Sequence, residues 1–337
     1  MSLTNRFFLY GPFALFVALA ALVSARWWIE ADAFAKRLDG ANGRRIAPGI
    51  TLHFAGKRVG GFPFRLDATF TDLKIRVDTP HGPSEWQSED FALHRLTYGA
   101  RRTLFEAAGH QRLSWTSEDG THHELPFETG SMRASVIEDD RGPARFDLDI
   151  NGIGTPAFTA LHAQLHVRRD PQLDAVDIAL SAEEVHLLTA IRKALGDRIK
   201  MVRLGATAVP GKAFETLRTG RAPWPESLRD FSQARGSLHA DEFDIALDGL
   251  SAEGHGTFAL DSALRPNGLF NLRIHESGAL PGPDASARSG VSKIIGLLRE
   301  HGRDTAKSDG SISVVFACSS GLSYFDQQLV GTLGTLL

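Results

Sequence analysis

The stretch GGFPFRLDATFTDLKIRVDT, residues 60–79, limits what this chain can fold into more than any other segment. Phe62, Phe64, Leu66, Ala68 and Phe70 fall on one side of an extended strand, and Pro63, Arg65, Asp67 and Thr69 on the other, because side chains alternate along a strand. Past Asp72 the apolar set moves to odd positions, Leu73, Ile75 and Val77, as it does beyond a bulge or tight bend. Runs of strand character recur at residues 86–96, 112–117, 122–127, 131–137, 144–151, 161–168 and 175–181. One greasy face and one wet face, repeated this often, predict antiparallel sheet. Asp119-Gly120 and Asn267-Gly268 carry hairpin-turn chemistry, and residues 57–61 read as a turn into the opening strand. Of the two histidines after the first turn, His122 and His123, only one can face inward.

Helical signals are fewer. WWIEADAFAKRL, residues 27–38, places Ile29, Ala33, Phe34 and Leu38 near one side. EEVHLLTAIRKALGDRIK, residues 183–200, repeats apolar residues at three and four, which predicts an amphipathic helix with acids first. Short helices are expected at residues 212–218 and after Pro223-Trp224-Pro225, and a last one at residues 285–301. The fold class is therefore α+β: a predominantly antiparallel, curled β-sheet with a few packed helices, plus one N-terminal transmembrane helix.

FFLYGPFALFVALAALVSA, residues 7–25, holds nineteen residues without a charge between Arg6 and Arg26. A helix of that length is roughly 28 Å long, close to the hydrocarbon thickness of a bilayer. Trp27 and Trp28 follow where interfacial aromatics belong. A retained signal anchor explains the full length and the Trp pair. A cleaved signal peptide is the competing reading, since Ala18-Leu19-Ala20 and Val23-Ser24-Ala25 have small residues at cleavage-type spacing, and a helix buried in a soluble core is the third. Positive charge ahead of the segment favours the N-terminus inside, an inner-membrane single pass and a body in the periplasm. The expected division is residues 1–28 as anchor and 29–337 as a β-rich body, with possible sub-parts at 29–181 and 182–337.

Several chemistries find no pattern to use. Net charge is −3, which argues against nucleic acid as a partner. The single cysteine, Cys318, cannot build a disulfide framework or a cysteine-rich metal site. The scattered histidines lack metal-ligand spacing, so neither metal nor cofactor is expected. GATAVPGKA, residues 205–213, has its glycines one residue too far apart for a phosphate loop, and Ala213 stands where a hydroxyl is required. Ser319-Ser320-Gly321 lacks the leading glycine of a nucleophile elbow and reads as a turn. Arg95, Arg101 and Arg102 with His94 form a basic cluster near Tyr98; docking at an anionic membrane or glycolipid surface is one reading, and a solvated loop is the favoured one. No catalytic residue is assigned, and the protein is read as a non-enzyme.

GFPFR at residues 61–65, placed just before a β-type run and after a Trp-rich anchor exit, resembles the proteobacterial family catalogued as domain of unknown function 2125. GHGTFALDSALRPNGLFNLRI, residues 254–274, is similar to that family's glycine-led hairpin, and SISVVFACSSGLSYFDQQLVGTLGTLL to its closing hairpin. The closing pair is also similar, more loosely, to the C-terminal parts of AsmA-like envelope proteins. Ser320-Gly321 stands where the family's turn has Asp-Gly. The resemblance implies a membrane-anchored envelope protein and carries over no catalytic residue.

The Phe-rich face has two readings. It packs as ordinary core, against a helix such as residues 183–200, or it lines a trough that accepts lipid acyl chains. The functional expectation is an envelope protein that binds or transfers lipid, with Phe62, Phe64, Leu66, Phe70, Phe258 and Leu260 lining the groove. The alternatives are a scaffold module docking other envelope proteins through sheet edges, and an envelope hydrolase.

Overall fold

The computed structural model describes residues 3–97, 101–117, 119–188, 198–247, 250–276 and 311–334. A helix, α1 (Leu3–Ala41), leads into β1 (Arg44–Ala47), β2 (Ile50–His53) and β3 (Gly56–Gly60). Seven long strands follow: β4 (Arg65–Thr79), β5 (Gly82–Leu96), β6 (Arg102–Thr116), β7 (His122–Glu138), β8 (Pro143–Gly154), β9 (Phe158–Asp170) and β10 (Ala175–Leu187). After β11 (Arg198–Val209) come a 3-10 turn (Gly211–Phe214) and two helices, α2 (Glu215–Arg218) and α3 (Trp224–Gln233). The chain then forms β12 (Ser237–Leu247), β13 (Leu250–Leu260), β14 (Pro266–Glu276), β15 (Ser311–Ser319), β16 (Leu322–Phe325) and β17 (Gln328–Thr332).

The seventeen strands among the described residues join one sheet, which does not close on itself. From β4 to β17 each strand pairs antiparallel with the next in sequence. At the other edge β2 and β3 lie end to end along β4, against its residues 74–77 and 67–71, and β1 pairs with β2. The expected antiparallel, curled sheet is present, and β10 runs through residues 181–182 without interruption.

α1 has two halves. Between Tyr10 and Val23 its large apolar side chains are exposed, and the helix is long and apolar enough to cross a membrane. From Trp27 onward it packs on the sheet through Trp27, Ala31, Phe34 and Leu38, against Phe54, Leu66, Ala68, Phe70 and Leu73. That spacing keeps one helix face on the core. Ile29 lies outside that face and is exposed. A second cluster joins Ala208, Ala213 and Phe231 beneath α3, with Phe214, Leu238 and Leu260 around it. A third lies between β13 and β17 around Val314 and Phe325.

Four local expectations change. Residues 183–187 and 198–200 belong to β10 and β11, and the middle of the expected helix, 189–197, lies outside the described residues. Val185 and Leu187 satisfy a period of two as well as a helical one, and pairing with β9 decides between them. Residues 56–60 are the strand β3 rather than a turn. The opening strand starts at Arg65, and residues 62–64 form a turn with a cis Phe62–Pro63 bond. Asn267 and Gly268 sit inside β14, while the hairpin turns at residues 261–264, where Asp261 accepts from the backbone of Ala263 and Arg265. The expected helix at 285–301 lies outside the described residues.

Candidate functional site: an apolar wall across the sheet

Register places one apolar side chain per strand in a row perpendicular to the strands. Leu93, Phe105, Ala134, Leu148, Leu165, Leu180, Leu204 and Phe243 are successive cross-strand partners from β5 to β12. A parallel row runs two residues away through Phe91, Ala107, Met132, Ile150, Ala163, Ala182, Val202 and Ile245. At ~4.8 Å between strands, eight strands carry these rows over roughly 34 Å. Both rows share the face that α1 covers further along, since Leu93 pairs with Ala68 and Phe91 with Phe70.

At their ends the rows join core clusters, through Phe91 and Leu93 on one side and Leu204, Phe243 and Ile245 on the other, but their middle is not closed core. Among the described residues of β6–β10, the fully buried apolar ones are Ala107, Ala160 and Ala175, all small. Phe105, Met132, Leu148, Ile150 and Leu165 are half-buried, and Leu180 is exposed. Among the described residues, α1 packs on β1, β3 and β4, and the later helices lie over one end of β8–β11, beside Phe146, Val167 and Ile178 rather than across the middle of the rows.

A crease keeps the wall on one face. Asp72 has φ 50°, and past it the buried residues of β4 switch from even to odd positions. The same step recurs on the neighbours at Gly109, Gly152 and Glu184, all at positive φ. Gly130–Gly152, Leu161–Glu184 and Glu184–Lys200 fall at the skipped positions of the pairing. A bend at one level in each strand lets apolar side chains above and below it point to the same side.

The opposite face is polar. Asp147 lies 2.8 Å from His166 Nδ1 and 2.9 Å from Arg145 Nε, and accepts from Ser135 Oγ. Burial pushes its carboxyl up, but these hydrogen bonds outweigh it and the group ends below the usual range. Asp149 accepts from Gln164 and lies 2.9 Å from His162 Nε2, which holds it low as well. No group of three metal-ligating side chains occurs among the described residues.

At one end the wall runs under the small helices. Phe146, Val167, Val176, Ile178 and Ala208 from the sheet, with Phe214, Leu217 and Trp224 from the cap, line a largely apolar, half-open pocket of 310 Å3. The cap is clasped to the β7–β8 turn by Arg218, which donates to both carboxylate oxygens of Glu215 at 2.6 and 2.9 Å and to Asp139 at 2.8 Å. These bonds hold both carboxyls below their ordinary range and the guanidinium above its own.

The residues singled out from sequence separate into three places. Leu66 and Phe70 are 6% and 5% exposed, beneath α1. Phe62 and Phe64 are 56% and 54% exposed on the turn before β4. Phe258 stacks on Phe270, with ring centroids 6.0 Å apart, and Leu260 lies beside Phe231 of α3. The middle rows were missed. Each of their strands alternates in the sequence, but only register shows that the apolar positions align.

The chain belongs to a family described as an uncharacterized protein conserved in bacteria (DUF2125), matched over residues 27–291. No curated protein matches it.

Proposed function

We propose that this protein binds or transfers lipid along the apolar wall of its open sheet, without catalysis, while α1 anchors it in the inner membrane with the body in the periplasm. The observation that carries this reading is the pair of in-register apolar rows from β5 to β12, half-buried with a polar face behind them. Apolar surface of this extent is unfavourable in water and marks a surface that something covers. An acyl chain is the occupant. α1 has the length and apolarity to cross a bilayer and continues directly onto the sheet, which puts hydrocarbon within reach of the wall. The cap pocket extends the wall with apolar side chains and offers the acyl end a seat. Arg6 ahead of the apolar run supports the orientation, and the resemblance of the closing hairpin to AsmA-like envelope proteins points the same way.

The test is mass spectrometry of an organic extract from full-length protein made in a periplasm-bearing host and exchanged into a lipid-free detergent. A stoichiometric lipid supports carriage. A clean extract from a folded, monodisperse sample overturns it, and a tightly bound envelope protein in that sample would establish a scaffold instead.

A further inference from the structure

The turn at residues 62–64 is held by several bonds yet points large apolar rings outward. Arg65 N donates to Gly61 O at 2.8 Å, and both the backbone N–H and the hydroxyl of Thr97 donate to Phe64 O, at 3.1 and 3.0 Å. The turn is thus tied to the end of β5 while Phe62 and Phe64 stay more than half exposed. It is also tied to α1. The Trp27 indole donates to Arg65 O at 2.8 Å, and the Phe62 ring stands edge-on to Trp27 with centroids 5.4 Å apart. Trp28, exposed, also packs edge-on against Trp27. Leu96, opposite Arg65 in the β4–β5 pair, is exposed as well.

We propose that the Phe62–Pro63–Phe64 turn, with Trp28 and Leu96, is a second membrane contact that seats in the lipid interface beside α1 and fixes how the sheet stands on the bilayer. This rests on the membrane-anchoring part of the proposed function and not on the apolar wall. The continuity of α1 selects the bilayer as occupant. The uncharged run ends at Ala25 and the helix continues unbroken, so a bilayer that takes this run has its surface within about one helical turn of Trp27. Aromatic rings at that level partition into the headgroup region. Of the nearby charges, Arg26 is matched with Glu30 at 3.1 Å and Arg65 with Asp67 at 3.0 Å, while Arg95, beside Leu96, is exposed. The contact is therefore chiefly apolar and persists at high salt.

The experiment uses the full chain carrying Cys318→Ser, reconstituted in vesicles of phosphatidylethanolamine and phosphatidylglycerol. A polarity-sensitive fluorophore is attached through Phe64→Cys in one sample, and through Leu96→Cys in another that keeps both phenylalanines. Both labels are expected to emit blue-shifted and to be quenched by lipids spin-labelled near the headgroup, in low and high salt alike. A label at Leu161→Cys, on an exposed position of the crease, stays aqueous. Water-like emission at 64 and 96 in protein that floats with the vesicles overturns the seat and leaves the anchor standing. Failure to float overturns the anchor, and the seat with it.

Discussion

Trp27 donates its indole N–H to the backbone carbonyl of Arg65 across 2.8 Å, and this one bond joins the helix that leaves the apolar run to the first residue of the longest continuous strand series. Trp27 is 9% exposed, so the bond is shielded and the ring contributes area as well. Trp27→Ala is expected to destabilise the body by about 3 kcal/mol or more, as large-to-small aromatic changes in cores do. Trp27→Phe, which keeps most of the ring, is expected to cost only about 1 kcal/mol for the lost hydrogen bond. Urea unfolding of the two variants checks the order.

Gly60 and Gly61 are neighbours with different tasks. Gly61 has φ 96°, and a Cβ there would meet Arg65 O at 2.7 Å. Gly60 has open space around the same position. Gly61→Ala is expected to cost about 1–3 kcal/mol through strain and collision, whereas Gly60→Ala stays within about 0.5 kcal/mol of the parent. Equal thermal midpoints for the two would contradict the turn geometry.

Leu148 lies in the middle of the apolar wall. A carboxylate facing hydrocarbon costs ~2.5–3.5 kcal/mol, so Leu148→Asp is expected to lower co-purifying lipid by about tenfold or more with the circular dichroism unchanged. Leu161→Asp, on the exposed crease, is expected to leave lipid content alone. If Leu148→Asp unfolds the protein, that position is core.

The Arg218 clasp gives the cap an acid limit. Hydrogen bonds from Arg218 are the first cause of the lowering at both Glu215 and Asp139. A depressed folded value means the stabilisation is fully present above the ordinary carboxylate value of about 4 and is lost as pH falls through the folded values below it. Arg218→Met is expected to cost about 2 kcal/mol at neutral pH, discounted for the part-exposed acids. The gap between variant and parent should shrink near pH 3. Unfolding midpoints at the two pH values measure it.

Cys318 sits 4% exposed in β15, and burial pushes its thiol above the usual value. Reaction with a maleimide is expected to be slow in the native protein and complete once it is unfolded in urea. Rapid native labelling would place β15 at a fraying edge.

Alternation was enough to reveal the sheet, the positions of most strands and even the change of face at Asp72, because burial of one face writes itself into every second residue. It was not enough at residues 183–200, where a short apolar run fits two periods and only the partner strand decides. The wall across β5–β12 escaped for a related reason. Leu148 and Leu165 look alike to any strand-by-strand reading, and their adjacency is a property of register, which depends on turns distant from both. The phenylalanines of residues 62–64 drew attention by size, but a tight turn takes them out of the alternation that starts at Arg65.

From β4 to β14 each strand finds its partner in the segment immediately before it, which makes the contacts of this sheet unusually local for a β protein. A chain threaded across a membrane from its N-terminus can therefore pair each strand as it emerges, without waiting for a distant segment. The growing edge is covered by the next hairpin almost as soon as it is exposed. In the proposed topology, assembly order follows translocation order.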